Sequence, residues 1–270
     1  LRALTVGLLV CALAGCGDDA GEGDAGELPD GAIAAGDAGS GPIDVAPNRA
    51  GWETAFDTVS QSGFCDGTLE SLEGLTSLPL EDGRTAYVGY AQVSDANQNP
   101  ILAVYDGDTR VFCVQNENGT QDGRAHGIVW DGGDTAYVLF TIDNRGSDLE
   151  GLGGHLDTFT PEAITGVGGR IMVVGQVRMT TGAVENATFL PAADDGDRLD
   201  SHLPTGLAFT AQGFVEVSGV STSRPLDTTG DAAMTCTPGT HYTRYRFAAD
   251  LLTVECADVT GCASSGPCAR

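Results

Sequence analysis

The chain has 270 residues, with 13 basic side chains, all arginine, against 38 acids and a formal net charge of −25 at pH 7. A surface this negative is repelled by phosphate backbones and anionic headgroups, which argues against nucleic acid as a partner and against electrostatic attachment to a membrane. Residues 17 to 50 carry eight acids against Arg49, while residues 51 to 270 carry 30 acids against 11 arginines, a net of −19.

In chain order, the first element is an apolar run, LTVGLLVCALA, behind the lone positive charge of Arg2. It has the length of a signal-peptide core and falls short of the ~20 apolar residues that span a bilayer. Leu13, Ala14, Gly15 and Cys16 resemble the lipobox of bacterial lipoprotein signal peptides. The resemblance implies that residues 1–15 are cleaved off, that Cys16 becomes the lipidated first residue, and that membrane lipid is a partner through it. Acyl chains buried at ~0.8 kcal/mol per methylene would make the anchor close to permanent. Gly17 and Asp18 follow the anchor, and by analogy with sorting in enteric bacteria they favour the outer membrane over the inner, with the body periplasmic or surface-exposed.

Residues 16–50 read as the lipidated cysteine and a disordered acidic tether, because Gly, Ala and like charges cannot bury enough apolar surface to offset ordering entropy. Flexible-chain scaling gives it a reach of roughly 30 Å. It contains GEGDAG at residues 21–26, the pattern of a dinucleotide-binding loop, but without a strand before it or a helix after it.

Residues 51–270 form the body. Six cysteines fall in it, Cys65, Cys113, Cys236, Cys256, Cys262 and Cys268, and an even number in an exported chain implies three disulfides among 15 connectivities. Pairing sequence neighbours gives Cys65 with Cys113, Cys236 with Cys256, and Cys262 with Cys268. A metal site of Cys256, Cys262 and Cys268 is disfavoured because it lacks CxxC spacing.

Apolar and β-branched runs of five to eight residues recur between DG, GG, NG and PG pairs, and no long segment has a 3.6-residue period, so the body is all-β. Four segments align as strand, glycine turn, strand: 77–94, 127–144, 163–179 and 206–223, with Gly83, Gly133, Gly169 and Gly213 in register. Second hairpins are clearest at 101–115 and 242–259. Two hairpins per unit of this length suit a small or irregular β-propeller of four to five blades, with a β-sandwich or partial propeller as the alternative. Gly127, Ile128, Asp131, Tyr137 and Val138, and again Gly206, Leu207, Gly213, Val215 and Gly219, resemble the bacterial β-propeller repeats called SBBP. The units depart from that family in their uneven spacing and in a poor second hairpin after residue 144.

The sequence holds no GxSxG, HExxH, phosphate-binding GxxxxGKS or complete EF-hand loop. His126, His155, His202 and His241 lie 29, 47 and 39 residues apart. Three of them, with His126, His155 and His202 as the candidates, could meet as cation ligands if unit starts converge, although His126 aligns with Thr205 rather than with His202. Asp194, Asp195, Asp197 and Asp200 crowd one loop and are candidate calcium ligands, without the D-x-D-x-D-G order. No other cofactor is suggested. Trp52 and Trp130 could stack on sugars, and Asn118 and Asn186 head glycosylation sequons that carry little weight in a chain resembling bacterial lipoproteins.

These features favour an envelope-anchored lipoprotein whose β-repeat domain is a non-catalytic binding or scaffolding module for an envelope protein or glycan. The alternative is a cation-dependent propeller hydrolase or lyase. Nothing in the sequence specifies an oligomeric state.

Overall fold

The computed structural model describes residues 65, 68–72, 75–95, 97–116, 122–143, 147–157, 169–263 and 268. All belong to one compact unit, Gly39–Arg270. The lipobox with Cys16, the tether, Trp52 and the Asn118 sequon lie outside the described residues.

The described chain is all-β, with four antiparallel sheets, none closed into a barrel. The first sheet is a meander of β1 (Thr76–Pro79), β2 (Thr85–Ser94), β3 (Asn97–Asp106) and β4 (Thr109–Gln115). The second is a meander of β5 (Gly123–Trp130), β6 (Thr135–Ile142), β7 (Ile171–Arg178) and β8 (Val184–Leu190). The short strands β9 (Ala192–Ala193) and β10 (Leu199–Asp200) pair with each other. The third large sheet has the order β11 (His202–Phe209), β12 (Phe214–Ser221), β14 (His241–Ala248) and β15 (Val254–Val259). Between β12 and β14 the chain leaves to lay β13 (Arg224–Pro225) against β9.

The second sheet is the middle layer. Val138 and Phe140 of β6 point to one side and pack with Val88, Leu102 and Val104 of the first sheet. Tyr137 and Leu139 point to the other and pack with Leu207, Val217, Tyr245 and Phe247 of the third. Covered on both faces, β6 reads as an unbroken apolar run, TAYVLFTI, rather than an alternating one. Each large apolar side chain fully buried there contributes roughly 1.5–3 kcal/mol.

The outer layers end the stack differently. Leu72 and Leu75 cover Ala91, Ile101, Ala103 and Tyr105 of the first sheet, and Cys65–Cys113 pins that cover down. The third sheet alternates Val215 and Val217 inward with Glu216 and Ser218 outward, so its far face is polar. Glu216 faces Arg246 across the β12–β14 ladder, and Arg244 faces Asp258 across β14–β15.

Two expectations are corrected. Gly83, Gly133 and Gly213 do sit in the turns between the first two strands of the large sheets, and the second hairpins at 101–115 and 242–259 are β3–β4 and β14–β15. Gly169 does not occupy such a turn: it precedes β7, the third strand of the second sheet, whose second hairpin is therefore β7–β8 at 171–190. The four aligned segments belong to three large sheets.

The cysteine pairing also differs from sequence-neighbour logic. Cys65–Cys113 forms as expected, but Cys236 bonds Cys262 and Cys256 bonds Cys268. In an antiparallel hairpin the residues that meet are those about equidistant from the turn. Cys236, just before β14, therefore faces Cys262, just after β15, in an isolated antiparallel bridge. Cys256 sits within β15 opposite Arg246 and cannot reach back to Cys236.

Candidate functional site

The histidines do not converge. His202 opens β11 in a fully buried site, its Nδ1 2.8 Å from the Leu190 carbonyl and its Nε2 2.8 Å from the Thr243 hydroxyl. With Nδ1–H donating to the carbonyl and Nε2 accepting from Thr243, no lone pair remains for a metal. His126 lies in β5 with Nε2 2.8 Å from Thr141 Oγ1, and both side chains are buried, which closes the pair to substrate. His155 sits in the 147–157 loop, where its backbone N–H donates to the Leu251 carbonyl.

Among the described residues, only Cys236, His241 and Cys262 place three ligand atoms within 4.8 Å of one another. Two of those atoms are sulfurs already joined in a disulfide, and His241 Nδ1 is 2.9 Å from the Thr260 carbonyl.

The acidic loop is a salt-bridged turn. Asp194 Oδ1 accepts the backbone N–H groups of Gly196 and Arg198, and Oδ2 accepts from Arg198 Nε at 2.8 Å. The hydrogen bonds from Arg198, backbone then side chain, hold its carboxyl below the usual range. Asp197 accepts from Arg224 Nη2 at 2.8 Å, Asp200 accepts from the Ser223 hydroxyl, and Asp195 points into solvent. The four carboxylates thus answer to arginines and a serine. Trp130 is buried, its indole N–H donating to the Gly133 carbonyl, so it offers no sugar platform.

What the fold does assemble is a polar cluster where all three large sheets end together. Register places it: Arg124 of β5 is opposite Thr141 of β6, which is opposite Met172 of β7. Because alternate residues share a face, Asp143 and Arg170, one step beyond the ends of those strands, lie on the same side. A bulge between Ala125 and Gly127 adds His126 to that side, as bulges do when they re-aim a side chain. The first sheet contributes Tyr90 and Gln98. The approach to the third contributes Ser201, whose Oγ accepts the Arg170 backbone N–H at 3.1 Å, and His202 N donates to the Arg170 carbonyl at 2.8 Å.

Arg124 is held on two sides. Its Nε donates to Gln98 Oε1 at 2.6 Å, and its guanidinium lies 4.9 Å from the centre of the Tyr90 ring. Gln98 is itself oriented, since its Nε2 donates to Gln92 Oε1 at 2.9 Å and Gln92 Nε2 donates to the Ser94 carbonyl. Arg170 Nε stands 3.4 Å from Asp143 Oδ1.

Burial first, and then the neighbouring Arg170, lower the pKa of Arg124. Burial, seconded by both arginines, pushes His126 down to about 3, so it is neutral. Burial pushes Asp143 up to about 6 against the pull of Arg170. The arrangement concentrates two guanidiniums in a chain with few of them, beside the part-exposed side chains of Asp143 and Ser201.

Of this cluster the sequence marks only His126 as a candidate and gives no signal for Arg124, Arg170, Asp143, Tyr90 and Gln98 as a set. They are spread over 80 residues and form no motif; the one local signal was a charged residue opening an otherwise apolar strand, GRAHGIVW. No protein-family model matches this chain, and no curated protein shows significant similarity to it. Among the described residues no helix is long and apolar enough to cross a membrane.

Proposed function

We propose that this protein is a lipid-anchored component of a bacterial cell envelope, held through Cys16, whose β domain is a non-catalytic binding module. The ligand site in this reading is the end where the three large sheets meet. The observation that carries it is the joint construction of that end by Tyr90 and Gln98, by Arg124, Asp143 and Arg170, and by Ser201, one group from or beside each sheet. Three disulfides that use all six body cysteines suit an oxidising, exported location.

We read the three four-stranded meanders as blades of an open propeller-like arc. The polar far face of the third sheet and the capped far face of the first supply two finished ends rather than a seam that closes a ring. Ligands gathered where repeated sheets converge are what such an arc would bind, with variable side chains from each unit and a tether of roughly 30 Å for reach.

The experiment has two arms. Fatty-acid labelling of the full chain in a bacterial host should be lost in Cys16→Ala; retention of label in that variant overturns the anchor. In the Cys16→Ala background, which removes the anchor's own contribution, cosedimentation of the full chain with isolated envelope fractions should fall at least tenfold when Arg124→Gln/Arg170→Gln is added, and unchanged cosedimentation overturns the assignment of the site.

A further inference from the structure

Arg124 is built as a preoriented receptor. A guanidinium on a flexible stem normally loses side-chain entropy when it binds. Here that cost falls at folding: Gln98 holds Nε, the Tyr90 ring holds one face, and Gln92 fixes which way the Gln98 amide points. Among the described residues Nη1 and Nη2 take no hydrogen bond. The structure therefore holds the proximal nitrogen and presents the distal pair, the edge whose two parallel N–H groups match the two oxygens of a carboxylate.

Arg170 lies close enough to weaken the protonation of Arg124, and the carboxylates of Asp122 and Asp143 offset burial and that repulsion only in part, so a further anion at Arg124 is favourable. Asp143 pairs with Arg170 from the far end of β6, whereas among the described residues no carboxylate stands within ion-pair distance of Arg124, and its distal edge is left to meet an incoming group. Net charge sets the size of that group. A body carrying −19 repels anions in proportion to their charge, so a polyuronate or nucleic acid meets a long-range barrier many times that met by a singly charged small molecule. The fork matches the oxygens of carboxylate and phosphate alike, but inorganic phosphate near pH 7 is partly dianionic and meets more of the body's repulsion than a carboxylate does.

We propose that the Nη1/Nη2 edge of Arg124, backed by Tyr90 and Gln98 and flanked by Arg170, binds the carboxylate of a small monoanionic ligand. This rests on the reading of the three-sheet end as the ligand site and names the chemistry it takes. Gln98 acts as a positioning residue that touches Arg124 rather than the ligand.

The test follows the arginine Nε–H resonances of the full chain by NMR at fixed ionic strength. D-Glucuronate, its methyl ester, acetate and inorganic phosphate are titrated as probes, and the Arg124 signal is assigned from its disappearance in Arg124→Gln. Glucuronate and acetate should shift that resonance saturably, while the ester and phosphate bind at least tenfold more weakly. Gln98→Leu should weaken glucuronate several-fold with the remaining spectrum preserved, which separates positioning from folding.

Equal binding of glucuronate and phosphate, or of acid and ester, overturns the carboxylate assignment and leaves a ligand site at this end standing. Absence of a saturable shift with every probe overturns the inference. The underlying site assignment falls separately, if in the Cys16→Ala background the double arginine variant cosediments with envelope fractions as its parent does.

Discussion

Gly169 and Ser201 approach so closely that a Cβ on Gly169 would stand 2.7 Å from the Ser201 backbone nitrogen and 2.6 Å from the Asp200 carbonyl carbon. The glycine is there to let the start of the second sheet's third strand pass beneath the start of the third sheet. Its φ of +78° adds a second reason for the missing side chain.

This contact yields the first prediction. Gly213 also has positive φ, at +83°, but an added Cβ there meets nothing within 4 Å. Gly213→Ala should cost about 1 kcal/mol, the backbone penalty alone. Gly169→Ala must displace backbone atoms and should cost at least about 2 kcal/mol more. Urea denaturation of the two variants checks the order, and equal losses would remove the close approach as the explanation.

Acid stability should follow two buried histidines and the half-buried Asp143. Burial pushes His126 down to about 3 and His202 to about 4, so unfolding takes up two protons as the pH falls below about 6.5. Asp143 is pushed up to about 6, so between pH 6 and 4 it holds a proton when folded and releases it when unfolded. The balance is one proton bound on unfolding. These groups therefore make stability fall by about 1.4 kcal/mol per pH unit from pH 6 to pH 4. His126→Gln should flatten that slope, and Asp143→Asn should roughly double it. Denaturation midpoints measured across that window decide, and a slope unchanged by both substitutions contradicts the assignment.

The disulfides should differ in worth with the loops they close. Sequence separations of 48, 26 and 12 residues for Cys65–Cys113, Cys236–Cys262 and Cys256–Cys268 correspond in the chain-entropy view to about 4, 3.5 and 3 kcal/mol. Non-reducing peptide mapping should recover those three linkages, and paired Cys→Ser variants should lose stability in that order. A Cys236–Cys256 peptide would refute the hairpin argument.

The outward face of the third sheet carries a nearly buried carboxylate. Glu216 is 5% exposed and accepts from Arg246 Nε at 2.8 Å as well as from Nη2. Arg246→Met strands that charge and should cost about 3 kcal/mol, whereas adding Glu216→Leu to it should restore most of the loss. Thermal melts of the single and double variants test this; a double variant no better than the single would show that the pair's value is not electrostatic.

The division between what could be read along the chain and what could not has a physical origin. Turn pairs and β-branched runs are local signals, so the all-β class, the β1–β2, β5–β6 and β11–β12 hairpins and the second hairpins β3–β4 and β14–β15 were legible in the sequence. So was the equivalence of His126 with Thr205: each is the extra residue of a bulge in the first strand of its sheet. The unit count was not legible, because a glycine in a turn and a glycine under a crossing strand look alike until the crossing strand is placed, as Gly169 shows. Nor were two of the disulfides, since hairpin register rather than sequence distance brings Cys236 to Cys262. The Arg124 cluster was the least legible of all. Tyr90, Gln98, Arg124, Asp143 and Arg170 share no period and no motif. They become neighbours only where sheet register sets three strand ends side by side and the first sheet packs across them, which is a property of tertiary packing and of no segment alone.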